Sequence, residues 1–154
     1  EIGATFVTVH GNDAMMRAAA TAKSGGLAVL AVTVLTSLDR GDLDDLGFKV
    51  DVVDLVESRA RRALAVGCDG VVSSGLEASR LRETLGERLL VISPGIRPVD
   101  NVIAGDDQKR AVTPTDAFRN GADYIVVGRP IRTAADPRAA AERIQAEIAE
   151  VFRD

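Results

Sequence analysis

The chain has 154 residues, a net charge of −4, 3% aromatic residues and a single cysteine, Cys68. That length predicts one domain, the charge and the lack of a long basic run argue against a nucleic-acid partner, and no apolar stretch reaches the length of a membrane span. One cysteine excludes an intramolecular disulfide or a cysteine metal cluster, which fits a reducing cytoplasm.

Residues 4–10 are short and rich in β-branched side chains, which predicts a strand. Gly11, Asn12 and Asp13 break it, and Asn12 suits the cap of a helix over 13–23 that Gly25 and Gly26 stop. Residues 27–35 form a near-continuous apolar run, the pattern of a strand buried on both faces. Thr36 and Ser37 end it, and a charged loop with room for one helical turn follows over 38–49. Val52, Val53, Val56, Ala60, Ala63 and Leu64 have helical spacing within 50–66, and Gly67 closes that helix.

A short strand is predicted at 69–73, a helix at 76–85 ended by Gly86, and a strand at 89–93 stopped by Pro94 and Gly95. A long loop then runs to Thr113, which caps a helix with Pro114 at its first position. Gly121 ends that helix, and 124–127 reads as a buried apolar strand leading into Gly128, Arg129 and Pro130. The last helix starts at Asp136 and Pro137 and runs to about Phe152.

Five strand–helix units imply a parallel sheet covered by helices, either open and doubly wound or part of a (β/α)8 TIM barrel. No Gly-rich dinucleotide fingerprint follows the first strand. Polar residues instead follow several strands: His10, Thr36 and Ser37, Ser73 and Ser74, Pro94 to Arg97, and Gly128 with Arg129. Functional residues spread over many strand ends are a barrel habit. A barrel has eight units, so the first three are expected to lie outside this sequence, which also starts without Met almost inside a strand.

Gly128 admits close approach of backbone to a ligand, and Arg129 offers a planar fork of donors suited to phosphate. Taken alone, that pair is equally well an ordinary surface turn. In Ser93-Pro94-Gly95-Ile96-Arg97-Pro98, two prolines and a glycine restrict the path and hold Arg97 in place. The loop continues to Arg110 and carries Gln108. A loop of such length is usually functional, and a lid closing Arg97 and Gln108 over a phosphate ester is favoured over a plain surface loop. The Thr36 and Ser37 hydroxyls suit a planar ring or a carboxylate, but more often such groups cap the next turn. His10 is the only histidine; at a strand end it is more often a structural hydrogen-bonder than an acid–base catalyst. Cys68 suits a small core filler. Asp42, Asp44 and Asp45 lack the glycine and terminal Glu of a calcium loop and are expected in a solvated loop.

Together these segments resemble the orotidine 5′-monophosphate decarboxylase family. The matching pieces are Val7 to His10, Ala31 to Ser37, Asp69 to Ser74, Ser93 to Pro98, Asp107 to Arg110 with Thr113 and Pro114, and Val127 to Pro130. They keep the family's order and spacing over nearly the whole chain. The resemblance implies a (β/α)8 barrel, active as a cytoplasmic homodimer without metal or organic cofactor, that converts orotidine 5′-monophosphate (OMP) to UMP and CO2. It implies that Thr36 contacts the pyrimidine, that Pro94 lies beside the base, and that Arg97, Gln108, Gly128 and Arg129 hold the 5′-phosphate. The family's reactive centre is an Asp-x-Lys-x-x-Asp run. Lys23, Lys49 and Lys109 are the only lysines here and none lies in such a run, so no catalytic residue is assigned and these residues alone are expected not to decarboxylate. Two alternatives remain: a related barrel lyase acting on a sugar phosphate with a metal, and a non-catalytic half-barrel.

Overall fold

The computed structural model describes residues 3–98 and 108–153. The middle of the predicted lid, residues 99–107 with Asp107, lies outside them. The elements in order are β1 (Phe6–His10), α1 (Asp13–Ala22), β2 (Ala28–Val32), α2 (Arg40–Asp45), α3 (Val52–Ala65), β3 (Gly70–Val72), α4 (Ala78–Leu85), β4 (Leu90–Ser93), α5 (Pro114–Arg119), β5 (Tyr124–Ile125), α6 (Arg129–Arg132) and α7 (Pro137–Val151). The strands form one parallel sheet in the order β1-β2-β3-β4-β5, each beside its neighbour in sequence. The registers run Leu30 to Gly70 to Leu90, so β3 and β4 start level and β2 starts two residues earlier. This is the expected sequence of β/α units, and it puts every strand's C-terminal end on one rim.

Local chemistry accounts for most boundaries. Asn12 Oδ1 accepts from Ala14 N, Thr113 Oγ1 from Asp116 N, and Asp136 Oδ1 from Ala139 N, so three helices start at side-chain caps. Proline occupies the first turn of α5 and α7, where its missing N–H costs nothing. The core lies between the sheet and α1, α3 and α4, with Met16, Val56, Ala60, Ala63, Val71 and Ala78 wholly buried and Cys68 among them as a filler. Burying a Val, Leu or Met side chain contributes roughly 1.5–3 kcal/mol, so this aliphatic layer carries most of the fold's cohesion.

Two carboxylates finish the lower edge of the sheet. Asp69 Oδ2 accepts from Val29 N at 2.8 Å while Asp69 N donates to Val29 O at 2.9 Å, and Lys23 Nζ lies 2.7 Å from Asp69 Oδ1. Burial alone would raise the Asp69 pKa, but Lys23 and the Val29 N–H outweigh it and hold the group below its ordinary value. Asp123 repeats the pattern, accepting from Val91 N at 2.7 Å and from Arg82 Nη2 at 2.6 Å, with its own N–H on Val91 O.

Four expectations are corrected. β2 ends at Val32 rather than residue 35, because the next carbonyls turn to side-chain donors: Thr33 O to Arg59, Val34 O and Leu35 O to Arg110. Residues 38–49 contain a six-residue helix, α2, closed by reciprocal bonds between Asp39 and Asp42. Asp42 is therefore the in-helix half of this capping box, accepting from Asp39 N, and an ion-pair partner of Lys109, not a freely solvated charge. Finally, β5 spans only two residues, gives way to the unforeseen α6, and is not buried: Tyr124 is 48% and Val126 52% exposed. As the last strand it has a hydrogen-bonded neighbour on one side only.

Candidate functional site

The rim at the C-terminal ends of the strands holds a cleft of about 290 Å3. Its walls come from Val32 at the end of β2 with Val34, Leu35 and Thr36 after it, Val72 of β3, Pro94, Gly95 and Arg97 after β4, Gln108, and Val126, Gly128 and Arg129 after β5. All six residues singled out in the sequence, Thr36, Pro94, Arg97, Gln108, Gly128 and Arg129, line this one cleft. They come from four separate segments. Arg97 and Arg129 are among its lining residues, and no carboxylate lines it among the described residues. An arginine presents its donors in a rigid plane that matches the oxygens of carboxylate or phosphate. Val32, Val34, Leu35 and Val72 add apolar lining.

Thr36 is 7% exposed, and its hydroxyl donates to Gln108 Oε1, 72 residues away, rather than capping the turn that follows. The Thr36 carbonyl accepts from Lys109 N and Arg110 N, both at 3.2 Å. With Oε1 of Gln108 engaged, its amide nitrogen is the donor end of the side chain. Gly95 lies beneath this contact with φ +76°. A Cβ there would stand 3.3 Å from both Gln108 Oε1 and Arg110 O and 3.5 Å from the Thr36 Cβ. Both the backbone angle and the space at Gly95 therefore favour glycine.

The two described arms of the long loop pair with each other. Ile96 and Val112 form a parallel bridge, Arg97 N donates to Val112 O at 2.9 Å, and Val112 N donates to Gly95 O at 3.3 Å. Arg97 Nη1 bonds Ile96 O at 2.7 Å. The guanidinium thus folds back onto the carbonyl of the residue before it. Gly128 precedes α6, and its carbonyl accepts from Ile131 N and Arg132 N. A Cβ at Gly128 would meet nothing within 4 Å among the described residues, so none of them demands glycine there by contact.

His10 lies elsewhere. It borders a second cavity of about 300 Å3, with Arg59, Phe48 and Leu43, on the other side of the segment after β2.

Sequence reasoning missed the groups that fasten the cleft. Arg110 and Glu77 are 7% and 3% exposed, and Arg110 Nη1 lies 2.5 Å from Glu77 Oε1. Lys109 Nζ lies 2.8 Å from Asp42 Oδ2 and 3.0 Å from Asp39 Oδ2. Asp39 is held down at about 2 by the Asp42 N–H first and by Lys109 second. The Lys109 ammonium is correspondingly pushed above its ordinary value by Asp42 and Asp39. The nearest signal was adjacency, since Lys109 and Arg110 follow Gln108 directly; nothing local marked Glu77 as their partner.

A sequential parallel β/α sheet with its cleft on the C-terminal rim is the architecture of a (β/α)8 barrel. A family model, "Orotidine 5′-phosphate decarboxylase / HUMPS family", matches residues 1–144, and the chain belongs to that family. It is 70% identical over 150 residues to the orotidine 5′-phosphate decarboxylase of Methylococcus capsulatus, covering 97% of this chain and 61% of that protein. It is 53% identical over 150 residues to that of Rhodopseudomonas palustris, covering 97% and 63%. Among solved structures, the orotidine 5′-phosphate decarboxylase of Lactobacillus acidophilus superposes with a TM-score of 0.75 at 36% identity, over 95% of this chain and 64% of that one. The Pyrococcus horikoshii enzyme gives 0.61 at 25% identity. The chain spans about three-fifths of the length of these relatives.

Proposed function

We propose that these residues form the nucleotide-binding wall of an orotidine 5′-phosphate decarboxylase, a carboxy-lyase that converts OMP to UMP and CO2. The observation that carries this is the convergence of Thr36, Pro94, Arg97, Gln108, Gly128 and Arg129 on one cleft with both arginine and apolar residues in its lining. In this reading Arg97, Gln108, Gly128 and Arg129 take the 5′-phosphate, and Thr36 and Pro94 flank the pyrimidine. The five units stand as the last five of an eight-unit barrel, in a cytoplasmic homodimer.

Chemistry at the scissile carbon falls, by the family resemblance, to an Asp-x-Lys-x-x-Asp run that is not among these 154 residues. The part played here is binding. Contacts to a remote phosphate lower the barrel's transition-state energy when part of their strength is realised only as the reacting carbon is engaged. A cleft built this way discriminates nucleotide from nucleoside. In the full-length protein, calorimetric titration is expected to show UMP binding at least about 100-fold more tightly than uridine, the loss of one bidentate anion site. Equal affinities would refute the assignment, and turnover of a pentulose phosphate with a divalent metal would replace it with the sugar-phosphate reading.

A further inference from the structure

We propose that the buried Glu77–Arg110 ion pair is a positioning device that holds Gln108 against Thr36 before any ligand arrives. The proposal rests on the nucleotide reading of the cleft and assigns its preorganisation to two residues outside the lining.

Arg110 uses its guanidinium almost completely. Nη1 meets Glu77 Oε1 at 2.5 Å, Nε donates to Leu38 O at 3.0 Å, and Nη2 donates to both Val34 O and Leu35 O at 3.0 Å. Those three carbonyls bracket Thr36. The backbone closes the same knot: Lys109 N and Arg110 N donate to Thr36 O, and Ser74 Oγ donates to Arg110 O at 2.9 Å. Gln108 directly precedes this knot, so its side chain is delivered to the Thr36 hydroxyl by a backbone anchored at the next two residues.

Stability alone does not account for the pair. Two ions withdrawn from water cost several kcal/mol each, and an apolar pair of similar volume commonly packs as well or better. An apolar pair cannot fix three carbonyls on one segment in register with another. A planar fork can, whereas a lysine, with three donors at one point, cannot reach Glu77 and both sides of Thr36 together. The arrangement is therefore a device for register, and its product is the geometry of the Thr36–Gln108 contact.

The test uses Arg110→Lys in the full-length protein. The readouts are amide hydrogen exchange at Lys109 and Arg110, with Val71 and Val91 in the central strands as reference, and affinities for UMP and uridine. Exchange at Lys109 and Arg110 is expected to quicken about tenfold or more while the strand amides hold. UMP affinity is expected to fall about tenfold with uridine affinity unchanged. Glu77→Gln keeps an acceptor oxygen for Arg110 and serves with the same pattern if Arg110→Lys does not fold. Unchanged exchange at 109 and 110, uniform quickening through the sheet, or equal losses for both ligands would overturn the proposal. Wild-type protein that fails to prefer UMP, with the exchange pattern as expected, would sink the nucleotide reading and leave the clamp standing.

Discussion

Arg129 bears on the site as a single side chain on a short turn, so its removal leaves the sheet intact. If it grips the phosphate, Arg129→Ala in the full-length protein lowers kcat/KM for OMP by on the order of 100-fold or more, the scale of losing one strong donor set at a charged centre. Turnover of the phosphate-free nucleoside orotidine changes little. Comparable losses for the two substrates would place Arg129 in the scaffold instead. At this scale the sequence was legible where residues stand in an ordered motif: Arg97 between two prolines, Gln108 before Lys109, Gly128 before Arg129. It was opaque for Glu77 and Arg110, because a buried ion pair is defined by what surrounds it in space. Thr36 lies between these cases. Its hydroxyl has equally good local partners in sequence, and only the fold brings Gln108 to it.

Among elements, helices with a strong local start were plain to read. Asn12, Thr113 with Pro114, and Asp136 with Pro137 each satisfy orphan N–H groups from within a few residues. The short helices α2 and α6 were not, since neither has the length to show a periodic face. α2 depends on Asp39 as its cap and on Lys109 from the segment after the long loop. That tether has a pH signature. Asp39 is depressed from 3.8 to about 2, so its contribution is complete above about 3.8 and is lost as pH falls through about 2. Carboxyl NMR titration is expected to place the Asp39 midpoint near 2, and Lys109→Met is expected to raise it toward the ordinary value. A midpoint that ignores Lys109 would show that the pair is not formed in solution.

For the molecule as a whole, sequential strands joined by helices left little freedom in strand order. The curl of the sheet agrees with the barrel expected from the sequence. It brings Phe6 of β1 and Tyr124 of β5 into edge-on contact, ring centroids 5.3 Å apart, although these strands are not neighbours. Both still carry one unpaired edge, and Val7, Leu35, Leu76, Tyr124 and Val126 are exposed. Bare edges and apolar surface drive association. A polypeptide of these 154 residues is expected to sediment as dimers or larger species in a concentration-dependent way; a sharp monomer boundary with cooperative unfolding would contradict this.

The two aspartates at the foot of the sheet carry a different implication. Asp69 and Asp123 each stand two residues after a left-handed glycine, Gly67 at φ +89° and Gly121 at φ +101°. Each exchanges hydrogen bonds with the second residue of the strand before it, and each takes a cation from the helix preceding that strand, Lys23 from the end of α1 and Arg82 from α4. The strand pairs β2–β3 and β4–β5 thus share one grammar, Gly-x-Asp followed by an apolar run, while the segments after their upper ends differ. The lower half of the molecule is a tandem repetition and the upper half is not. Sequence can therefore be exchanged between the two lower joints without touching the cleft, which makes them the natural places to cut, graft or recombine this fold.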